Sequence, residues 1–174
     1  MKIVNHVWLF GALVAASACN QPAKQQDTAK ADSTEKIVDA RVVDTNNTAE
    51  VFTAYIGLKD EFLKSDVAGI KSTASVLEGK LKVIKGCSET ATLAHQITAT
   101  DDIKVQRASF LILSKDIMML VKGAKLKTAT IYVDYCPMAD SGKGGYWLSL
   151  NKNIENPYFP EHMKTCGAVK EQLN

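Results

Sequence analysis

Residues 48–66, TAEVFTAYIGLKDEFLKSD, decide the fold. Val51, Tyr55, Leu58 and Phe62 recur at spacings of three and four, with Phe52 and Leu63 beside them. At 3.6 residues per turn they form one apolar stripe on an amphipathic helix. Ser65 or Asp66 then supplies a cap for a second helix over 67–86, VAGIKSTASVLEGKLKVIKG, whose Ile70, Leu77, Leu81 and Ile84 share a face before Gly86 stops it. The stretch 88–123, SETATLAHQITATDDIKVQRASFLILSKDIMMLVKG, predicts a break near Thr100-Asp101. Its longer half puts Phe110, Leu113, Ile117 and Leu120 on one side and ends at Gly123.

Beyond Gly123 the pattern changes. ATIYVDYC (129–136) alternates and is rich in β-branched and aromatic residues, which predicts a short extended segment. DSGKGG (140–145) and NPYFP (156–160) predict turns, because proline cannot continue a helix and restricts the residue before it. A short helix from about Glu161 to Leu173, weakened by Gly167, is expected to close the chain. The fold class that follows is mainly α: an antiparallel bundle of three to four helices, a short extended segment and an irregular C-terminal cap containing cysteine and methionine.

The first residues read as a leader. Lys2 precedes the apolar run IVNHVWLFGALVAA, and ASAC ends it at Cys19. A run this short with small residues at its end predicts a cleaved signal at 1–18 rather than a membrane span. Cysteine directly after Ala-Ser-Ala resembles a bacterial lipobox. There the peptidase needs small residues and the thiol takes the lipid, so Cys19 is the expected lipidation site and the membrane is the expected partner through that anchor. An ordinary signal cut near Ala18 is the alternative. Residues 19–47 are polar and lack aromatics, so they cannot bury enough apolar surface to offset ordering and read as a flexible tether. Residues 48–174 then form the domain of a protein of the cell envelope, facing the periplasm or the outside. Loss of Lys2 lowers the formal charge from +2 to +1, which gives no electrostatic case for a nucleic-acid partner.

One region gathers soft donors. Cys136 and Met138 flank Pro137, Met163 and Cys166 sit three apart, and His162 is adjacent. If 161–173 is helical, Met163 and Cys166 share a face. Thiolate and thioether select copper(I) over harder ions; zinc held by Cys136, Cys166 and His162 is the lesser expectation. The other reading is a Cys136–Cys166 disulfide, which an oxidising compartment favours and which would contribute about 3–4 kcal/mol through loop closure. Met138 and Met163 would then be core filler. Chemistry alone leaves both open.

These residues also carry a resemblance. IYVDYCPMADSGKGGYWLS, NIENPYFPEHMKTCG and the upstream DIKVQRASFLILS are similar to the bacterial "domain of unknown function" family numbered 3347, over about residues 48–172. That family occurs in exported proteins of Bacteroidetes, lipoproteins included, and as a C-terminal module on periplasmic adaptor subunits of heavy-metal efflux pumps. The resemblance implies a small helical domain tied to copper or silver handling, with an efflux adaptor or pump as partner and no catalytic activity. Its motif positions fall on Cys136, Pro137, Met138, Trp147, Asn156, Pro157, Tyr158, Met163, Cys166 and Gly167. Pro160 departs from it, standing where the family usually has glycine.

The remaining polar residues read blandly. His95 lies on a helix among Leu93 and Ile97 and is expected to be a satisfied core or surface residue. Asp101, Asp102 and Asp116 read as caps or solvated groups, with Arg107 paired to one of them. Asp134 is either a partner of the cysteine site or a surface residue. Trp147 reads as an anchor for the cap, and Cys87 as a free thiol or small hydrophobe. An enzyme would need an oriented nucleophile and base or paired carboxylates. Cys-x-x-Cys, a phosphate loop and a metalloprotease signature are all missing. The expectation is a non-catalytic protein.

Overall fold

A computed structural model describes residues 45–126 and 129–173. The expected leader, the Cys19 lipidation site and most of the tether lie outside the described residues. Four helices come first: α1 (Thr45–Lys64), α2 (Val67–Lys82), α3 (Ser88–Thr98) and α4 (Ile103–Ala124). Each packs on the next through a short connection, and α4 returns against α1, which closes an antiparallel bundle. The buried faces are those the spacing predicts: Val51, Phe52, Tyr55, Leu58 and Phe62 on α1, Ile70, Leu77 and Leu81 on α2, and Phe110, Leu113 and Ile117 on α4. Phe110 lies at the centre, with its ring centroid 4.5 Å from that of Phe62 and 5.5 Å from that of Tyr55. Leu120 is only partly buried, and Val121 takes the last core position of α4.

The connections follow local chemistry. Asp66 is the N-cap of α2, and its carboxylate accepts from Ala68 N at 3.1 Å. Ser65 takes φ 57° and turns the chain from α1 into α2. Asp102 caps α4 by accepting from Lys104 N at 2.8 Å. Gln106 is buried, and its amide donates to the carbonyls of Ile97 (3.2 Å) and Thr100 (2.9 Å). It thereby satisfies orphan carbonyls where α3 ends. The α4 helix runs one residue past Gly123 and is stopped by Lys125 at φ 48°.

The C-terminal region is more regular than the sequence suggests. The strands β1 (Ile131–Cys136), β2 (Gly145–Ser149) and β3 (Ala168–Leu173) form an antiparallel sheet in the order β2-β1-β3. The expected helix over 161–173 is absent. Turns occupy 160–162 and 164–165, and AVKEQL is a strand. Two causes override local propensity. Gly167 takes φ 145°, outside the helical region. The free edge of β1 offers a ladder that residues 168–173 complete. Tyr55 joins the sheet to the bundle: its buried hydroxyl accepts from Leu148 N at 3.1 Å and shares a hydrogen bond of 2.9 Å with Ser114 Oγ.

Candidate functional site: a paired thiol beneath the C-terminal loop

Cys136 ends β1, with Gly145 of β2 as its cross-strand partner. Side chains alternate across a sheet, so Asp134, Cys136, Gly145 and Trp147 share one face. Between β1 and β2, residues 139–144 form a compact left-handed turn with Asp140 at φ 48°, Ser141 at 55° and Gly142 at 90°. Gly144 is required there, since a Cβ would stand 2.0 Å from Tyr135 Oη.

The loop from 150 to 167 brings the second thiol over. The Sγ atoms of Cys136 and Cys166 lie 3.7 Å apart across a sequence separation of 30, and both are free thiols. Cys136 is fully buried, whereas Cys166 is half-buried. The pair therefore opens to solvent from the Cys166 side. The adjacent Cys136 thiol raises the Cys166 pKa above its ordinary value, with burial adding to it, because ionisation would sacrifice their shared hydrogen bond.

The loop is built from the Asn-Pro-Tyr run. Asn156 is fully buried: Nδ2 donates to the Cys166 carbonyl at 3.0 Å, and Oδ1 accepts from Tyr158 N at 2.9 Å. Its own N–H donates to the Lys164 carbonyl at 2.8 Å. Tyr158 donates its hydroxyl to the Tyr146 carbonyl at 2.5 Å, and its ring meets Trp147 edge-on at 5.8 Å. Arg107 of α4 reaches the loop from the bundle. Its Nε donates to Pro157 O (3.2 Å), and Nη2 donates to Ser65 Oγ (2.8 Å) and to Glu161 Oε1 (3.0 Å). Hydrogen bonds from Ser65 and Arg107 hold the Glu161 carboxyl down to about 2, against the opposing effect of partial burial. Gly167 lets the chain pass: a Cβ there would lie 2.9 Å from Tyr135 O and 3.0 Å from Trp147 Cη2.

The other expected donors stand differently. Met138 is 54% exposed at the start of the left-handed turn. Met163 is half-buried, and its carbonyl accepts from Cys166 N at 2.9 Å. The two residues are thus linked by a turn and do not share a helical face. His162 is exposed. Among the described residues no three His, Cys, Asp or Glu side chains converge, so the zinc set of Cys136, Cys166 and His162 is not assembled.

Two other expectations change. Arg107 pairs with Glu161, whereas Asp101 pairs with Lys71 at 2.7 Å and Asp116 accepts from Thr90 at 3.1 Å. Asp134 is not a surface residue. It is fully buried opposite Trp147, and neither its carboxylate oxygens nor the indole Nε1 has a hydrogen-bond partner among the described residues. Burial raises its pKa to about 6, partly opposed by the Lys59 ammonium. His95 is a surface residue 3.3 Å from Glu78, and Cys87, the N-cap of α3, is a free thiol raised by partial burial.

The molecule is a four-helix bundle carrying a small sheet and a preformed thiol pair. A family model described as protein of unknown function (DUF3347) matches its helical part, residues 51–129. The matched span covers α4 and most of α1 and stops before β1, so the thiol pair and the Asn-Pro-Tyr loop lie outside it. No curated protein and no solved structure matches the chain.

Proposed function

We propose that the protein binds a soft metal ion, copper(I), between the thiolates of Cys136 and Cys166, and that it does so without catalysis. The carrying observation is the 3.7 Å separation of two free thiols from distant parts of the chain. Taking the zinc–thiolate distance of about 2.3 Å as a guide for a thiophilic ion, two thiolates meeting one ion at a tetrahedral to trigonal angle stand about 3.8–4.0 Å apart. Little movement is needed. Met163, on the same turn as Cys166, is a half-buried thioether, and Met138 and His162 are exposed donors for capture or release. Weak outer ligands suit transfer, because an acceptor displaces them one at a time.

The leader and Cys19 support an exported lipoprotein held in the cell envelope by its lipid, with residues 20–44 as tether, since α1 begins at Thr45. In that setting the ion is buffered or handed to a heavy-metal efflux adaptor or pump. The second reading is an interaction module whose Cys136–Cys166 pair closes to a disulfide; it draws on the same proximity.

The test is an anaerobic copper(I) competition titration against a chromophoric chelator, using the chain with Cys19→Ser. One ion per chain is expected, with binding lost in both Cys136→Ser and Cys166→Ser. Failure to compete with a weak chelator, together with thiols that react only after reduction and denaturation, would leave the disulfide reading.

A further inference from the structure

Cys136 is placed by a strand ladder, and the pairing of Ala168 with Tyr135 brings Cys166 near it, but Cys166 itself lies two residues before β3, outside any regular element. Its N–H is bonded to Met163 O at 2.9 Å, which is local and fixes only the turn. The bond that ties it to the rest of the loop is the one from Asn156 Nδ2 to its carbonyl, 3.0 Å long and spanning ten residues. Asn156 is fully buried, its side-chain oxygen is taken by Tyr158 N, and Tyr158 is in turn wedged against Trp147 and Phe110. The residue thus links a rigid aromatic anchor on one side to the backbone of Cys166 on the other.

We propose that Asn156 is the positioning residue of the thiol pair: its amide bond to the Cys166 carbonyl fixes where Cys166 Sγ meets Cys136 Sγ, and so sets how strongly the two act as one unit. This rests on the pair being the functional centre. Two groups joined only by a flexible chain meet at millimolar effective concentration. Groups held in register by packed side chains exceed that by orders of magnitude. Asn156 supplies the holding, and aspartate cannot replace it. Asp keeps the size and the acceptor for Tyr158 N, but it sets an oxygen against the Cys166 carbonyl where Asn sets an N–H.

The test reads the pair directly and without metal. The full chain carrying Cys19→Ser and Cys87→Ser is equilibrated anaerobically with glutathione buffers. Protein dithiol and glutathione disulfide give protein disulfide and two glutathione thiols, so both electrons and both thiol hydrogens pass to glutathione. Asn156→Asp is expected to lower the equilibrium constant for closure at least tenfold. Asn156→Gln, which keeps the donor one methylene further out, is expected to fall between. Tyr158→Phe removes the hydroxyl bond to Tyr146 but leaves the amide bond; it is expected to lower the melting temperature with the constant held. A residue that served only the stability of the loop would lower the melting temperature in N156D and leave the constant at the wild-type value; that result overturns the proposal. If N156D does not fold, N156Q decides: a wild-type constant there overturns it equally. A failed copper titration leaves this outcome untouched, because no metal enters the measurement.

Discussion

Replacing Asp134 with asparagine should stabilise the protein at neutral pH and leave its stability nearly unchanged at pH 4. The carboxylate is fully buried, lies opposite Trp147 and has no hydrogen-bond partner among the described residues. Burial favours its neutral form and raises the pKa from 3.8 to about 6. A carboxyl whose pKa is higher in the folded state binds its proton more tightly there than in the unfolded chain. Its contribution is therefore full below the unfolded pKa, near pH 4, and is lost as pH rises through 6. A displacement of about two pH units corresponds to about 3 kcal/mol. The substituted amide would keep the shape without an ionisable group. Urea denaturation of the reduced, metal-free chain from pH 4 to 8 should show wild type and Asp134→Asn nearly equal at pH 4. The variant should then gain, reaching an advantage of about 2–3 kcal/mol above pH 7. Taking the difference between the two proteins removes the opposing carboxylates, such as Glu161, whose pKa is lowered. A difference that stays constant across the range would refute the claim that Asp134 is held neutral by burial.

Other perturbations have signs set by the same structure. Arg107→Ala removes the donors to Pro157 O, Ser65 and Glu161; the unfolding free energy should fall by about 1–3 kcal/mol, and proteolysis should begin within 150–167. Gly167→Ala forces a Cβ to 2.9 Å from Tyr135 O at φ 145°. A loss of about 2–3 kcal/mol is expected, against no more than a few tenths if the loop can simply shift. Phe110→Ala empties the aromatic centre between Tyr55 and Phe62 and should cost about 3–5 kcal/mol in denaturant unfolding. Copper(I) binding at two thiols must release their protons, so affinity should rise with pH below the thiol pKa, by up to about two decades per unit. A titration series at pH 6 to 8 with no such slope would point to thioether or imidazole ligation.

The bundle is legible in the sequence because its signals are local. Spacings of three and four on α1, α2 and α4 name the buried faces, and Asp66 and Asp102 stand where helices must begin. The cap is legible only in its chemistry. Cys136 and Cys166 stand out as a pair, but their proximity rests on the ladder between β1 and β3, a long-range pairing that no short window contains. AVKEQL is polar and does not alternate; five of its six residues are exposed, so nothing in it announces a strand. Asn156 is visible as part of an Asn-Pro-Tyr motif without a role, since its partners lie eight and ten residues away at Lys164 and Cys166. Arg107 reads as an ion-pair former among nearby aspartates, yet its partner Glu161 lies 54 residues on. Asp134 is the most instructive departure. Its alternation with Val133 is compatible with an outward position, but both faces of β1 are covered.

The most direct test of the central claim is X-ray absorption at the copper edge on the chain with Cys19→Ser, loaded anaerobically with one equivalent of copper(I). Ligation by the thiol pair gives a coordination shell of sulfur alone, two thiolates with or without a thioether, and disruption of that shell in Cys166→Ser. A shell dominated by nitrogen or oxygen, or one unchanged by Cys166→Ser, would contradict it and leave the thiol pair as a device for fastening the C-terminal loop.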